Sequence, residues 1–260
     1  MADSPTEVLN YFDCAEAAQR YARGRPRGQS VALAMMESVL HESLPVASAL
    51  DVGCGTGHSS MALLPYAWQI VGLEPSSAML AEAERHPRIE YLRGYAECMP
   101  FRNGEFDLVT ASSAYCWFDH SRFLADAVRV LRPEGWLVVY KAASMGRIPG
   151  TPEFESWRRT VFADRFSKVV RNDEPLSAER AQSFGLREIA REVRIFTRRF
   201  ELEAYIENLL THSSVIRVVY DGSATLAEIR AWFRTELAPF FPPAGAIFAH
   251  EARCQVLRRV

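Results

Sequence analysis

The sequence predicts an α/β protein with a mostly parallel β-sheet that helices cover on both faces. From residue 46 to residue 144, short apolar segments of strand length alternate with segments of helix length, which is typical of parallel βαβ units. The first apolar segment ends in three alternate glycines, Gly53, Gly55 and Gly57, which indicate a sharp turn from a buried strand into a helix. The chain has 260 residues, of which 48% are hydrophobic, and is long enough to bury the core of such a fold.

Each element of this region follows from its local pattern. Residues 7–24 and the segment SVALAMMESVLHE carry apolar residues at helical spacing and predict helices ahead of the sheet. The strands predicted in the alternating region are SALDVG, QIVGLEP, IEYLRG, FDLVTAS and GWLVVYKAA. The helices predicted between them are HSSMALLPYA, SSAMLAEAERH and DHSRFLADAVRVL, with Ser76 or Ser77 expected to cap the second.

A different pattern begins after Ser144, where the alternation stops. The segments FESWRRTVFADRFSKVV, LEAYIENLLTH and TLAEIRAWFRTEL predict helices, and REVRIFTRRF and AIFAHEARCQVLRR predict strands. We expect the helices to form a cap and the strands to return to the edge of the sheet. The arginines from Arg187 to Arg199 are interleaved with glutamates, which favours a solvated sheet edge over a surface for an anionic substrate or RNA.

The bulk composition argues against several classes of function. The formal net charge of −2 provides no concentrated positive field for nucleic acid or an anionic membrane. The N-terminus lacks the pattern of a secretory signal, and no stretch reaches the roughly 20 apolar residues of a membrane span. The five cysteines are scattered, so neither a disulfide framework nor a metal site is indicated. We expect a soluble cytoplasmic protein with no metal, membrane or nucleic-acid partner, as a monomer or homodimer.

The glycine turn is compatible with several ligands, and its surroundings narrow the choice. A phosphate-binding P-loop requires a lysine after the glycines, and GCGTGHSS has none. A dinucleotide site favours G-x-G-x-x-G, whereas this turn is G-x-G-x-G. Glu74 ends the next predicted strand about twenty residues after the glycines, where α/β folds place a carboxylate against ribose hydroxyls. The pattern therefore predicts a ligand that contains a ribose.

Four segments together resemble the class I S-adenosylmethionine-dependent methyltransferases: LDVGCGTG, VGLEPSSAML, GYAECMPFRNGEFDLVTAS and RVLRPEGWLVV. The resemblance runs from about Tyr11 to Ala142. Within that superfamily, YARGRP and AYCWFD are similar to the small-molecule branch around trans-aconitate and ubiquinone/menaquinone-type (methyltransferase type 11) enzymes. It implies a doubly wound, seven-stranded, Rossmann-like sheet that ends in an antiparallel hairpin. It also implies a helical lid at 1–45, a cofactor-binding core at 46–144 and a cap at 145–260.

The resemblance implies roles for individual residues. S-adenosylmethionine would be bound by Tyr21, Arg25, Asp51, Gly53, Gly55, Glu74, Pro75, Ser76, Ala96, Glu97 and Ser112. Trp117 and Phe118 would line the substrate pocket, although core packing explains these aromatics equally well. Two positions depart from the pattern of the branch. Tyr95 replaces a common aspartate near the adenine, and Cys116 replaces a histidine that is a candidate base in some members.

No catalytic base is evident, and methyl transfer from a sulfonium needs one only when the acceptor must lose a proton. The candidates are Tyr115, Asp119, His120 and His212, with Asp119 alternatively a helix cap. We expect methyl transfer to an O, N or C atom of a small organic molecule, with S-adenosylhomocysteine as product. The alternatives are an RNA or protein methyltransferase, a protein that uses the cofactor pocket for non-methylating chemistry, and a nicotinamide-dependent oxidoreductase.

Overall fold

The computed structural model describes residues 11–260 and contains one seven-stranded sheet. The strand order across the sheet is β3-β2-β1-β4-β5-β7-β6. The strands are β1 (Val46–Val52), β2 (Ala67–Glu74), β3 (Ile89–Arg93), β4 (Phe106–Ser112), β5 (Leu131–Ser144), β6 (Leu186–Phe200) and β7 (Ala246–Arg259). All five strands predicted before Ser144 and both strands predicted after it are present.

The predicted helices are present in the predicted order, and two further helices, at Ala178–Ser183 and Ser213–Tyr220, were not predicted. The helices are α1 (Ala15–Gly24), α2 (Ser30–Leu40), α3 (His58–Ala62), α4 (Ser77–Ala81), α5 (His120–Val130), α6 (Pro152–Trp157), α7 (Ala163–Arg165), α8 (Ala178–Ser183), α9 (Leu202–Leu209), α10 (Ser213–Tyr220) and α11 (Leu226–Leu237). The part of residues 7–24 before Tyr11 lies outside the described residues. Within those residues, none of the helices combines the length and apolar character needed to cross a bilayer.

The sheet is parallel except at its last strand. β1 pairs in parallel with β2 and β4, β2 with β3, and β4 with β5. The Val260 N–H donates to the Gly185 carbonyl, and the Met145 N–H donates to the Ala249 carbonyl. The first bond joins the end of β7 to the start of β6, and the second joins the end of β5 to the start of β7. β7 therefore runs antiparallel to both β5 and β6. The predicted doubly wound, mostly parallel sheet with an antiparallel final hairpin is therefore confirmed.

Three predicted helices are shorter or less regular than expected. α3 ends at Ala62 rather than continuing through PYA, because Pro65 cannot donate a helical hydrogen bond. α4 covers only Ser77–Ala81 and ends where the Glu82 backbone leaves helical geometry. The predicted helix FESWRRTVFADRFSKVV is interrupted by a π-helical turn at Arg158–Phe162. Amphipathic periodicity predicts such helices well but does not locate their ends.

The chain forms two compact units, each assembled from three sequence segments. Unit 2 comprises 27–142, 171–194 and 252–260, and its core lies between the sheet and α5. Unit 1 comprises the described residues up to 26 together with 143–170 and 195–251. The predicted lid, core and cap were defined by the function expected of each segment, whereas the two units are defined by contacts between residues. The functional division remains a prediction.

Unit 1 has a core that is rich in aromatic rings. Its fully or almost fully buried aromatic residues are Phe154, Trp157, Phe162, Phe166, Phe200, Tyr205, Phe233 and Phe248. The Tyr205 and Phe248 rings stack with their centroids 4.1 Å apart, and the Trp157 indole donates to Glu236 Oε2 at 2.8 Å. These buried residues therefore stabilise the unit. Tyr220 in α10 is half exposed and does not belong to this buried set.

Candidate functional site

The candidate site lies in unit 2, where the parallel strands β1, β2 and β4 end. Asp51 in β1 is in register with Gly72 in β2 and with Thr110 in β4. The three strands therefore deliver the glycine turn, Glu74 and Ser112 to the same edge of the sheet. In parallel α/β sheets, this carboxyl edge is where ligands bind.

All three glycines of the turn have positive φ angles, of 70°, 55° and 77°. They differ in the space that surrounds them. A β-carbon at Gly53 would lie 2.6 Å from Ala114 Cβ and 3.1 Å from the Phe118 ring. A β-carbon at Gly57 would lie 2.9 Å from Tyr91 Cζ. At Gly55 a β-carbon would meet no atom within 4 Å. Protein packing thus occupies both ends of the turn, and the turn is open at Gly55.

Asp51 is fully buried beneath the turn and binds hydroxyl groups of the protein itself. Its Oδ2 accepts from Ser59 Oγ at 2.6 Å and from Ser60 Oγ at 2.7 Å, and its Oδ1 accepts from Thr110 Oγ1 at 3.0 Å. Burial raises the pKa of Asp51, and the three hydroxyl hydrogen bonds oppose that rise. The side chain therefore holds α3 and β4 against β1. The part in cofactor binding that the resemblance implies for Asp51 remains a prediction.

Glu74 connects the glycine turn to the start of α4. Its Oε2 accepts from the Gly55 N–H at 2.9 Å, and its Oε1 accepts from the Ser76 N–H at 3.1 Å. The side chain is buried, with only 9% of its residue surface exposed. The carboxylate thus lies directly beside the open glycine, and its predicted contact with ribose hydroxyls remains a prediction.

The residues expected around an adenine occupy the neighbouring turns. The hydroxyl of Ser76 accepts from the Met79 N–H at 3.1 Å and caps α4, as one of the two predicted caps. The carbonyl of Pro75 accepts from Arg93 Nε at 3.0 Å, and Ala96 is buried. Glu97 Oε1 accepts from the Asp119 N–H at 2.9 Å, so it joins this turn to the segment after β4.

The segment after β4 contains three of the proposed catalytic candidates. Asp119 is the N-cap of α5, because its Oδ1 accepts from the Arg122 N–H at 3.0 Å. His120 is buried, and its ring stacks on Tyr115 with centroids 3.8 Å apart. Burial raises the pKa of Tyr115 to about 12, and its buried hydroxyl has no hydrogen-bond partner among residues 11–260.

Both ring nitrogens of His120 are engaged. Asn172 Oδ1 accepts from the Glu174 N–H at 3.1 Å, so the amide group of Asn172 donates through Nδ2 to His120 Nδ1 at 3.1 Å. The proton of the neutral ring is therefore on Nε2, which donates to the Tyr115 carbonyl at 3.1 Å. Burial lowers the pKa of His120. In this arrangement His120 connects two segments, and neither nitrogen is available as a base.

Trp117 and Phe118 have different surroundings. The guanidinium of Arg171 lies 5.8 Å from the Trp117 ring centroid. The Phe118 ring packs 4.9 Å from Phe123 and against the backbone of Gly53. Phe118 thus combines core packing with contact to the glycine turn. Neither contact tests the predicted role of these residues in a substrate pocket.

Three predicted site residues belong to unit 1. The Arg25 guanidinium lies 5.6 Å from the Tyr21 ring centroid, within reach of a cation–π interaction. His212 immediately precedes α10, and its ring lies 6.3 Å from that of Phe162. The roles predicted for Tyr21 and Arg25 at the cofactor, and for His212 in catalysis, remain predictions.

Three further residues at or near the turn were not anticipated from the sequence. Thr56 is buried in the turn, and its hydroxyl has no hydrogen-bond partner within the described chain. Asn172 binds His120, and Tyr91 packs against the turn from β3. Only Tyr91 had a local signal, because Gly72 inside a strand indicates close approach of another group. Among residues 11–260, no cluster of three or more His, Cys, Asp or Glu side chains could hold a metal.

Comparison with known proteins identifies relatives for the part of the chain that contains this site. Residues 50–139 match the family described as methyltransferase domain. The trans-aconitate 2-methyltransferase of Deinococcus radiodurans is 37% identical over 106 residues, which span 38% of this chain and 40% of that protein. The malonyl-[acyl-carrier protein] O-methyltransferase of Alcanivorax borkumensis is 30% identical over 191 residues, spanning 64% of this chain and 65% of that protein. Both alignments cover less than two thirds of the relative's length.

The fold agrees with this match over most of the chain. A solved structure from Anaeromyxobacter dehalogenans, described as a type II methyltransferase, has a TM-score of 0.63 and 24% sequence identity. The alignment covers 90% of this chain and 96% of that one. The seven strands and the antiparallel final hairpin described above are those expected from the resemblance. Residues 50–139 therefore match the methyltransferase domain family, and the chain shares its fold with a solved methyltransferase structure.

Proposed function

We propose that this protein transfers a methyl group from S-adenosylmethionine to a small organic acceptor and releases S-adenosylhomocysteine. The observation that carries the proposal is the position of Glu74 beside the open Gly55. A carboxylate at the end of the second strand, next to a glycine turn that ends the first, matches the chemistry of a ribose bound at a switch of strand order. The match of residues 50–139 to a methyltransferase domain supports the same assignment.

The residues around the turn fit the cofactor. Glu74 is a buried carboxylate that accepts from the Gly55 and Ser76 N–H groups, which holds it at the open glycine where a ribose would bind. Gly55 leaves room for a ligand against the backbone, and the Thr56 hydroxyl is a buried polar group without a partner in the described chain. We assign the adenine to Pro75, Ser76, Ala96 and Glu97, and the sulfonium to Ser112. Arg25 and Tyr21 are assigned to the cofactor carboxylate by the family resemblance.

The bound cofactor would supply an activated methyl group, so the chain chiefly has to orient the acceptor and exclude water. The candidate bases near the end of β4 are poorly suited to remove a proton. His120 has both nitrogens engaged, and the pKa of Tyr115 is raised to about 12. An acceptor that is already ionised, such as a carboxylate, requires no base. We therefore propose a small carboxylic acid as acceptor, in keeping with the trans-aconitate 2-methyltransferase among the relatives.

Calorimetric titration with S-adenosylhomocysteine tests the cofactor assignment. We expect the wild-type protein to bind with a dissociation constant of roughly micromolar order. Glu74→Ala should weaken binding by about 10- to 100-fold, because charge-assisted hydrogen bonds to the ribose are lost. Glu90→Ala is the matched control, since Glu90 is an exposed carboxylate on the adjacent β3 and should leave affinity unchanged. The proposal fails if the wild-type protein does not bind, or if both variants bind as tightly as the wild type.

A panel of radiolabelled methyl acceptors then tests the substrate class. We expect methyl transfer to one or more small carboxylic acids, giving base-labile methyl esters. Salt-sensitive RNA binding with transfer to RNA would instead favour a nucleic-acid substrate. Tight cofactor binding without transfer to any acceptor would favour non-methylating use of the pocket.

A further inference from the structure

Gly72 lies in the interior of β2, where a glycine ordinarily weakens a strand. It is in register with Tyr91 on the neighbouring β3. A β-carbon at Gly72 would lie 2.6 Å from Tyr91 Cδ1 and 2.8 Å from Tyr91 Cε1. It would also lie 2.9 Å from Cys54 Sγ, in the glycine turn. The missing side chain thus leaves space for the Tyr91 ring to lie across β2.

The ring extends beyond β2 to the turn that follows β1. Its Cζ would be 2.9 Å from a β-carbon at Gly57 and its hydroxyl oxygen closer still, so the phenol group rests directly on the turn backbone. The hydroxyl donates to the Glu84 carbonyl at 3.1 Å. Burial raises the pKa of Tyr91, and the neighbouring Cys54 and Asp51 reinforce the rise. The hydroxyl therefore remains a protonated donor at neutral pH.

The opposite end of the turn is also supported by protein atoms. Gly53 packs on Ala114 and on the Phe118 ring, which approaches from the segment after β4. The turn is thereby held at Gly53 by one aromatic ring and at Gly57 by another. Gly55 lies between them, with its N–H bonded to Glu74 and with open space above it.

We propose that Tyr91 is a positioning residue for the cofactor site and that Gly72 is required so that its ring can reach the turn. The ring sets the position of the turn backbone relative to Glu74 without touching the ligand. This inference rests on the proposed function, because the position of the turn matters only if the turn binds the cofactor. Displacement of a binding backbone by a fraction of an ångström weakens the contacts it makes.

The test is a double-mutant cycle between Gly72 and Tyr91, read by the affinity for S-adenosylhomocysteine. Tyr91→Leu keeps an apolar side chain but cannot reach Gly57, and it should weaken binding by about tenfold or more. Tyr91→Phe keeps the ring and should bind within about threefold of the wild type. Gly72→Ala should weaken binding in the wild-type background, because the new methyl group displaces the ring. The same change should cost clearly less affinity beside Tyr91→Leu, where the contact with Cys54 Sγ remains but the contact with the ring is gone.

The control separates positioning from general loss of stability. Ile89→Ala removes buried apolar volume from the same strand at the residue in register with Ile70, at the far end of the paired region from Glu74. It should lower the melting temperature while leaving affinity unchanged. Where Tyr91→Leu does not fold, Gly72→Ala replaces it, because that variant keeps the ring and displaces it.

The outcomes distinguish this inference from the proposed function. Failure of the wild-type protein to bind S-adenosylhomocysteine overturns both. Binding by the wild type that is unaltered in Tyr91→Leu and in Gly72→Ala overturns the positioning role alone. A loss of affinity in Ile89→Ala equal to that in Tyr91→Leu does the same, since it would trace the effect to stability. An equal cost of Gly72→Ala in both backgrounds would show that the ring is not the group it displaces.

Discussion

Side chains of the candidate site are held in place by hydrogen bonds to one another. Asp51 illustrates this at the first strand, where three hydroxyl groups surround a carboxylate that has no exposed surface. Removal from water disfavours the charged form, whereas hydroxyl donors favour it. The raised pKa shows that burial is the stronger effect. The acid of the glycine motif therefore stores unfavourable electrostatic energy when ionised.

This balance predicts how stability depends on pH. Because the pKa of Asp51 is higher in the folded than in the unfolded protein, its contribution is fully present below the unfolded value of about 4. It is lost as pH rises through the folded pKa. The stability of the wild type relative to Asp51→Asn should thus fall as pH rises above about 4. Denaturant unfolding across this range measures it, and a difference that moves the other way would contradict the burial argument.

Elements of unit 2 are joined by contacts that are distant in sequence. The segment 171–180 binds the region after β4 at three points. The Asn172 N–H donates to the Cys116 carbonyl at 3.0 Å, and its side chain binds His120. Arg180 donates to Ser121 Oγ at 2.9 Å. These contacts fix the segment after β4, which contains Tyr115, Trp117 and Phe118.

The hydrogen bond between Asn172 and His120 predicts the effect of a charge-changing substitution. Asn172→Asp keeps the acceptor for the Glu174 N–H and puts a carboxylate near His120 Nδ1. The pKa of His120, which burial lowers in the wild type, should rise by about one unit or more. NMR titration of the His120 ring measures this change.

The pH dependence of the stability of Asn172→Asp should change in the direction that the higher pKa of His120 requires. A lowered histidine pKa costs the wild type stability as pH falls below about 6.5. Asn172→Asp should lose less stability over that interval. Asn172→Ala is the control, because it removes the hydrogen bond without adding charge. An unchanged His120 pKa in Asn172→Asp would mean that Nδ1 does not face residue 172.

At the scale of the whole molecule, the two compact units have separate cores. Each unit is discontinuous in sequence, so its segments depend on contacts with one another. Such groups commonly unfold as cooperative units. Phe233 is central to the core of unit 1, with ring centroids 5.4 Å from Phe166 and 6.2 Å from Phe162.

Truncation of this ring should affect all three segments of unit 1 together. Phe233→Ala should destabilise the unit by about 3–5 kcal/mol through lost burial and a residual cavity. Hydrogen exchange should then quicken in 11–26, 143–170 and 195–251 more than elsewhere. Phe123→Ala, at a fully buried ring of unit 2, should produce the converse pattern. Equal acceleration in both units by either variant would contradict their separate cooperativity.

The succession of strands along the chain and the location of the glycine turn were predictable because their signals are local. Apolar alternation reports which segments are buried, and left-handed turns select glycine. The spacing from the glycines to Glu74 was equally informative, because one helix and one strand connect them in any βαβ unit. Helix ends were less predictable, as α3 and the π-helical turn at Arg158–Phe162 illustrate.

The amino-acid sequence alone was sufficient to predict the α/β fold and to show a resemblance to the class I methyltransferases. Only the tertiary structure revealed that Tyr91 supports Gly57, that Asp51 binds hydroxyl groups and that Asn172 engages His120. Each of these contacts depends on strand register or on chain segments many residues apart. Periodicity and motif spacing describe the chain along its length, whereas these contacts arise between segments that folding alone brings together.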